Sequence, residues 1–444
     1  EGYFAQQAVR ILHGQVPYRD FATFYTPGLA YLHAALFGLV GTSSLVALRG
    51  LALLARAALA FLLFALARPL VRQPLWAALP GVFLLLAFDD APVRWEPHPG
   101  WLSTVFAVLA TYCLTRRQPL AAGLAAGLSY AFKQNTGLVI LAAIILCLLL
   151  ERTASRRAVA WTLVGFGAAT LVWLVPLVVT LRGDVSALGV LVGAVNQAGL
   201  FSPPESGMLI PVTCLAGGLW LWKREPDVRW LTLAGAALLL TQYPRMDNLH
   251  LVWSAPLLLV VGAIALDRLP SGVALAATAV AVALVWATPA ERLAYLAEPR
   301  APVADVEAPA QTAADITAIT DEVRRVTAPG EHIFVYPTSP LLYVLADRPN
   351  PTPFDHLNPG AASPAQIEQV IADIARANVR LVVVSDFWRT VWGDPGPNAP
   401  LETYLASHYN ESARYGAYRL LVRPAYNAPL ARMFGGMADA GARY

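Results

Sequence analysis

Ten apolar stretches, joined by short connections that hold nearly all the charge, decide what this chain can fold into. They fall at residues 43–67, 73–88, 100–114, 118–132, 137–150, 158–181, 207–222, 229–242, 250–266 and 271–288. A helix of about 20 apolar residues crosses the hydrocarbon of a bilayer, and shorter ones are accommodated by thinning or by burial against neighbours. Backbone polar groups in lipid must be satisfied within the segment itself, which makes each stretch a helix. Hydrophobic residues make up 57% of the 444 and charged residues 14%, against about 25% charged in soluble domains. The chain reads as a polytopic α-helical membrane protein with about ten visible spans. The net charge of +3 comes with no basic block, so nothing points to a nucleic-acid partner. Cys113, Cys147 and Cys214 all lie inside apolar runs, where a thiol acts as a small hydrophobe.

Short loops rich in Lys and Arg stay on the cytoplasmic side. Alternate connections hold Arg68 and Arg72, then Arg116 and Arg117, then Arg152, Arg156 and Arg157, then Lys223, Arg224 and Arg229, then Arg268. The connections between them hold only Arg94, Lys133, Arg182 and Arg245, and so face outward. The alternation runs through all ten stretches and places residue 1 outside. The sequence begins at "EGYFAQQAVRILHG" with neither Met nor a signal segment, so a further helix is expected ahead of it at the N-terminus.

After residue 290 the texture changes. Residues 1–290 are expected to form the membrane domain, and 291–310, with "AEPRAPVADVEAPAQTAA", a linker. Residues 311–425 alternate helical and strand patterns: helices at 311–327 and 364–377, strands at 332–337, 379–385 and 418–423. They are expected to form a C-terminal extracytoplasmic α/β domain that caps or supports the membrane part, with residues 426–444 a flexible tail.

The acidic and histidine side chains of the membrane part gather in four outward clusters. These are residues 1–28, "FDDAPVRWEPHPG" at 88–100, "FKQNTG" at 132–137 and "YPRMDNLH" at 243–250. Loop residues at a water interface are ordinarily polar, and Lys or Arg near a helix end often snorkels. Four clusters on one face, each bounded by apolar segments, point instead to an interfacial site. A substrate with an isoprenoid tail, a phosphate and a sugar keeps its tail in lipid and its head group at this boundary. Glycosyl transfer from a lipid phosphate needs a carboxylate to take the acceptor's proton and cations to stabilise the departing phosphate. Glu1, Asp20, Asp89, Asp90 and Asp247 are the carboxylate candidates; Arg94, Lys133 and Arg245 are the phosphate candidates. His98 and His250 are open to a metal or to the phosphate, and a divalent metal ion as cofactor is left open. Asp20 has an equal claim to a structural role, pairing with Arg19 in the turn "PYRDF". Arg49 and Arg56 share one helix face, and Arg56, near mid-bilayer, either fixes helix packing or lines the acceptor path.

The opening stretch "EGYFAQQAVRILHGQVPYRDFATFYTPGLAYLHAALFGLVG", with "FDD", "FKQNTG" and "YPRMDNLH", resembles bacterial membrane glycosyltransferases of the GT-C superfamily. Within it, the likeness is to the group of glycosyltransferase family 39 that includes the dolichyl-phosphate-mannose protein mannosyltransferases and the aminoarabinose transferase. The resemblance covers nearly the whole chain. It implies a first outer loop opening on an acidic pair, of which Glu1 matches the second member, and a further acidic position matched by Asp89 or Asp90. It implies base or acceptor-orienting roles for Glu1 and Asp89 or Asp90, and contacts of Lys133 and Arg245 with the lipid phosphate. Asp20, Arg94, Asp247 and His250 are expected as further substrate-binding residues. The implied partners are a polyprenyl-phosphate sugar donor, the lipid bilayer, and an acceptor that is a glycan, lipid or protein. The expected location is the bacterial plasma membrane.

A transporter or flippase of lipid-linked sugars would place charge at mid-membrane and show related halves. Apart from Arg56 the apolar stretches are clean, and no internal repeat is visible. A non-catalytic scaffold would have no use for clustered outer acids. Replacing Asp89 and Asp90 together by Asn is expected to abolish sugar transfer in a lipid-reconstituted assay while the protein still folds; unchanged turnover removes both from the mechanism.

Overall fold

The computed structural model describes residues 1–86, 97–151, 156–184, 204–243, 246–285, 294, 297–357, 362–386 and 396–424. The first helices are α1 (Gly2–Leu12), α2 (Gly28–Val40), α3 (Leu45–Ala67), α4 (Pro74–Leu86), α5 (Pro99–Thr115), α6 (Pro119–Phe132), α7 (Gln134–Leu150) and α8 (Arg156–Thr180). They are followed by α9 (Leu209–Leu221), α10 (Pro226–Leu240), α11 (Asn248–Ser254), α12 (Pro256–Asp267) and α13 (Ser271–Val285). Then come strands β1 (Arg300–Val303) and β2 (Val306–Pro309), helix α14 (Ala310–Val326), β3 (Ile333–Tyr336), α15 (Leu341–Ala346), α16 (Pro364–Arg376), β4 (Leu381–Ser385), α17 (Ala399–His408), β5 (Asn410–Tyr415) and β6 (Tyr418–Val422).

Among the described residues, each apolar stretch of the sequence is mostly helical. Many of these helices begin on a proline, as at Pro74, Pro99, Pro119, Pro226 and Pro256. The ring presets the helical φ, and the missing N–H is one that no intrahelical acceptor would have used. Two expectations need correction. The stretch 250–266 is not one helix but α11 and α12, because Pro256 has no N–H to continue the ladder of α11. Among the described residues, only Leu45–Ala67 and Arg156–Thr180 are by themselves long and apolar enough to cross a membrane; the other apolar helices are shorter.

The described chain divides into two compact units. One comprises Thr23–Leu32 and Ala47–Ala297. Its core is built from side chains such as Leu59, Leu63, Val108, Ile144, Leu231 and Val260, all fully buried. Its closest approach is between α6 and α8. A Cβ on Gly123 would stand 2.0 Å from the Thr162 carbonyl oxygen, and one on Gly165 would stand 2.3 Å from that of Leu120. Gly123 and Gly127 lie one turn apart on α6, the small-residue spacing that lets apolar helices touch backbone to backbone. Arg56 is buried with its guanidinium 4.4 Å from the Trp101 ring centroid, so this deep cation is stabilised against an aromatic face.

The other unit comprises Glu1–Ala22, His33–Val46 and Glu298–Tyr444. Its sheet runs in the order β3-β4-β6-β5, with β3 and β4 parallel and the remaining pairs antiparallel. Every residue of β3 and β4 is buried, as expected of strands covered on both faces. Phe334, Val382 and Val384 pack with Ile367, Val370 and Ile374 of α16 on one face. Ile333, Val335 and Val383 pack with Ile319 and Val323 of α14 and Leu342 of α15 on the other. The stretch expected as a linker instead carries the antiparallel hairpin β1–β2. The Asp305 carboxylate at its turn accepts hydrogen bonds from the Ser44 hydroxyl (2.6 Å) and the Leu45 N–H (3.1 Å), closing the N-terminus of α3. Burial pushes the Asp305 pKa upward, but the bonds from Ser44, Val46 and Leu45 outweigh it and lower the value.

Residues 1–22, expected with the membrane part, group with the C-terminal part through a buried ion pair. The Arg10 guanidinium donates to Asp355 Oδ1 at 2.7 Å and to the Thr352 carbonyl at 2.8 Å, and Asn350 Nδ2 donates to the same Asp355 oxygen at 2.9 Å. The tail 426–444 lies outside the described residues. Removing one partner of a buried pair strands the other charge. Asp355→Ala is therefore expected to destabilise the purified protein by about 3–5 kcal/mol, and the apolar double variant Arg10→Met/Asp355→Leu by less, as read from thermal unfolding.

Candidate active site

Within the unit of Thr23–Leu32 and Ala47–Ala297, the loop before α2 is tied to the junction of α6 and α7. Gln134 is the first residue of α7. Its amide donates to the Phe24 carbonyl at 2.8 Å and accepts from the Thr26 N–H at 3.3 Å, while the Thr26 hydroxyl donates to the Tyr130 carbonyl at 2.7 Å. Tyr25 is thus bracketed by two residues held on one side chain. Its hydroxyl lies 3.1 Å from His98 Nε2.

His98 caps α5, and its Nδ1 accepts the Gly100 N–H at 2.9 Å. A nitrogen that accepts carries no proton, so the imidazole proton sits on Nε2 and is donated to the Tyr25 oxygen. The His98 ring stacks on Trp253 of α11, with centroids 4.0 Å apart and planes 13° from parallel. Gly100 is obligatory for this packing, since a Cβ there would meet the Trp253 ring at 2.7 Å.

Trp253 is 4% exposed and gathers the remaining polar groups. The Lys133 ammonium lies 5.2 Å from its ring centroid, and Trp101 and His250 meet it edge-on. Lys133 occupies the single extended residue between α6 and α7 and is 9% exposed. Among the described residues it has no ion pair. Burial pushes its pKa down from the usual lysine value to about 8. On α11, Asp247 Oδ1 accepts from the His250 N–H at 3.0 Å and from His250 Nδ1 at 2.6 Å. That carboxylate holds the proton of His250 on Nδ1 and leaves Nε2 as the basic nitrogen.

The structure thus brings Lys133, Asp247 and His250 together through Trp253. Asp20 lies in the other unit. There it accepts from Arg19 at 2.7 Å and from the Val16 N–H at 2.7 Å, and the Arg19 hydrogen bond foremost lowers its pKa. This is the structural arrangement weighed for the turn "PYRDF". Glu1, also in that unit, starts α1, its carbonyl accepting the N–H groups of Phe4 and Ala5. Asp89, Asp90, Arg94 and Arg245 lie outside the described residues. No group of three or more metal-ligating side chains occurs among the described residues. Tyr25, Gln134, Trp101 and Trp253 were not singled out from the sequence. Tyr25 in "FYTPG", Trp101 after "HPG" and Trp253 in "NLHLVWS" look like ordinary apolar filling, and Gln134, inside the cluster "FKQNTG", looks like an ordinary interfacial amide.

No protein-family model matches the chain, and no curated protein matches it. Solved structures do match. The crystal structure of ArnT from Cupriavidus metallidurans bound to undecaprenyl phosphate aligns with a TM-score of 0.60 at 14% identity, over 96% of this chain and 93% of that one. The chain has the ArnT fold. The likeness is one of fold, and it extends over nearly the whole length of both chains.

Proposed function

We propose that the protein is an inverting glycosyltransferase that moves a sugar from a polyprenyl-phosphate-linked donor to an acceptor at the outer face of a bacterial plasma membrane. The single observation that carries this reading is Lys133, a buried ammonium against an aromatic face with no carboxylate to neutralise it among the described residues. A buried cation costs several kcal/mol unless an anion is supplied. A lipid phosphate supplies one. The likeness in fold to a protein crystallised with undecaprenyl phosphate supports the same ligand class, and the alternation of basic loops supports the outward placement of the site and of the C-terminal α/β domain.

In this mechanism the acceptor hydroxyl attacks the anomeric carbon as the bond from that carbon to the phosphate oxygen breaks. A carboxylate, Glu1 or one of Asp89 and Asp90, takes the acceptor proton, and the electron pair of the broken bond leaves on the polyprenyl phosphate. Lys133, with Arg245 and Arg94, stabilises that charge. One displacement inverts the anomeric centre. Asp247 and His250, beside Trp253, contact the sugar or the acceptor.

Binding of undecaprenyl phosphate to the purified protein, followed by tryptophan fluorescence, tests the reading. Lys133→Ala is expected to weaken it by about tenfold or more, the worth of a charge-assisted contact. In the wild type, Lys133 loses its proton as pH rises through about 8, and binding must restore it. Affinity is therefore expected to fall by about tenfold per pH unit above that point, until the higher pKa of the complex is reached. Undiminished binding by a folded Lys133→Ala protein overturns the proposal.

A further inference from the structure

We propose that a groove along α4, α9, α12 and α13 seats an acyl chain of an anionic phospholipid, whose head group meets Arg224, Lys223 and Arg72 at one end. The proposal does not depend on sugar transfer and adds a second lipid site, apart from the one at Lys133.

The groove has a volume of about 550 Å³, within the range of small-molecule sites. Its walls are aliphatic, aromatic or small, with Leu79 and Phe83 of α4, Ile210 and Gly217 of α9, Ala263 of α12 and Ala281 of α13 among them. The two hydroxyls in the lining, those of Thr213 and Thr278, donate to carbonyls of their own helices at 2.7 and 2.9 Å. Such walls suit an apolar ligand. Leu209, Trp220 and Val280 line the groove and are exposed as well, so it is open along its side. From Leu209 to Trp220 it follows nearly the whole of α9, roughly 17 Å at about 1.5 Å per residue. That is close to the hydrocarbon depth of one leaflet, about 15 Å.

The ends of the groove differ in charge. Helices α9 and α12 finish, and α4 and α13 begin, at the segments 68–73, 222–229 and 267–270. Arg268 ties these segments together, donating to Glu225 at 3.0 Å, to Asp267 at 2.5 Å and to the Leu70 carbonyl at 3.0 Å, while Asp267 accepts the Arg72 N–H at 2.8 Å. Of the three acids in these segments, Glu225 and Asp267 are thus committed to Arg268. Asp227 is left against Arg68, Arg72, Lys223 and Arg224, which are exposed and form no ion pair among the described residues. Arg224 stands at the rim, its guanidinium 4.9 Å from the ring centroid of the lining residue Trp220. Leu266 and Leu269, on either side of Asp267 and Arg268, also line the groove.

An apolar groove one leaflet long, with unneutralised cations at one mouth, matches a lipid that lays its acyl chain along the helices and its phosphate against arginine. A partner helix would fill the groove and leave those cations unused. A polyprenyl phosphate held at Lys133 carries its charge at the other end: α12, roughly 18 Å long, separates Trp253 from Arg268, so one phosphate cannot serve both. By the rule for basic loops the charged mouth is cytoplasmic, and the phospholipid belongs to the leaflet opposite the donor's head group.

The test uses the full-length protein in detergent, titrated with phosphatidylglycerol or phosphatidylcholine of the same acyl chains, with bound lipid counted by native mass spectrometry. The wild type is expected to bind the anionic lipid about tenfold more tightly. Arg224→Gln is expected to weaken phosphatidylglycerol binding about fivefold, the worth of one basic residue beside an anionic head group, and to leave phosphatidylcholine unchanged. Ala216→Phe places bulk in the groove from an exposed lining position and is expected to lower binding of both lipids. Equal affinity of the wild type for the two lipids, or an unaltered phosphatidylglycerol affinity in Arg224→Gln, overturns the charged contact and with it the proposal. Undiminished binding by Ala216→Phe places the lipid elsewhere and overturns it too. Displacement of phosphatidylglycerol one for one by undecaprenyl phosphate makes the groove the seat of the donor's tail, and likewise sinks the second site.

Discussion

An ammonium group pressed against an indole, with no carboxylate paired to it among the described residues, is the constraint around which the helical unit is arranged. In a surroundings of low dielectric, Lys133 cannot be made comfortable by water, and the Trp253 face returns only part of what desolvation takes. Keeping the indole in place then becomes a demand on its neighbours. His98 lies flat on it, Gly100 has no side chain to push it away, and the Thr104 hydroxyl donates to the Trp253 carbonyl at 3.1 Å. A buried cation held against an aromatic face by so many packed groups is costly by itself and is relieved by any anion that reaches it.

Two histidines meet the same indole and are set in opposite states by different means. His98 takes a backbone N–H on Nδ1 and so presents a proton from Nε2. His250 gives its Nδ1 proton to Asp247 and so presents a basic Nε2. Neither assignment depends on a solvent-exposed rotor; one is fixed by the start of a helix and the other by a helix-capping carboxylate. A single aromatic side chain therefore separates His98, whose proton lies on Nε2, from His250, whose proton lies on Nδ1.

The helical texture was legible because hydrophobic runs, prolines at helix starts and basic loops are local signals. The strands at 333–336, 381–385 and 418–422 were legible for the same reason, as short apolar runs between polar ones. What escaped depended on distant partners. Arg10 and Asp355 are 345 residues apart, and nothing near either announces the other. The hairpin β1–β2 hid in a segment rich in Ala and Pro, whose four-residue strands are too short to show an alternation. Lys133, Asp247 and His250 stood out as charges in apolar surroundings, whereas Trp253 and Tyr25, which organise the cluster, are hard to tell by composition from aromatic residues that merely fill space.

The breaks in the helices and the chemistry of the site have a common cause. Lys133 sits in the one extended residue between α6 and α7, and Trp253 lies on a short helix that ends just before Pro256. In an uninterrupted apolar helix, a lysine at either position would be carried along a wall of aliphatic side chains with nowhere to place its charge. A break exposes N–H and C=O groups that need partners, and polar side chains gather to satisfy them; Gln134 on the Phe24 and Thr26 backbone and Gln242 on the Asp247 carbonyl do this here. Backbone that departs from helix inside an apolar unit is tolerated where it is buried in protein or faces a polar cavity. The same interruptions that leave many helices short of a full span are what bring a cation, two imidazoles and a phenol within reach of one indole.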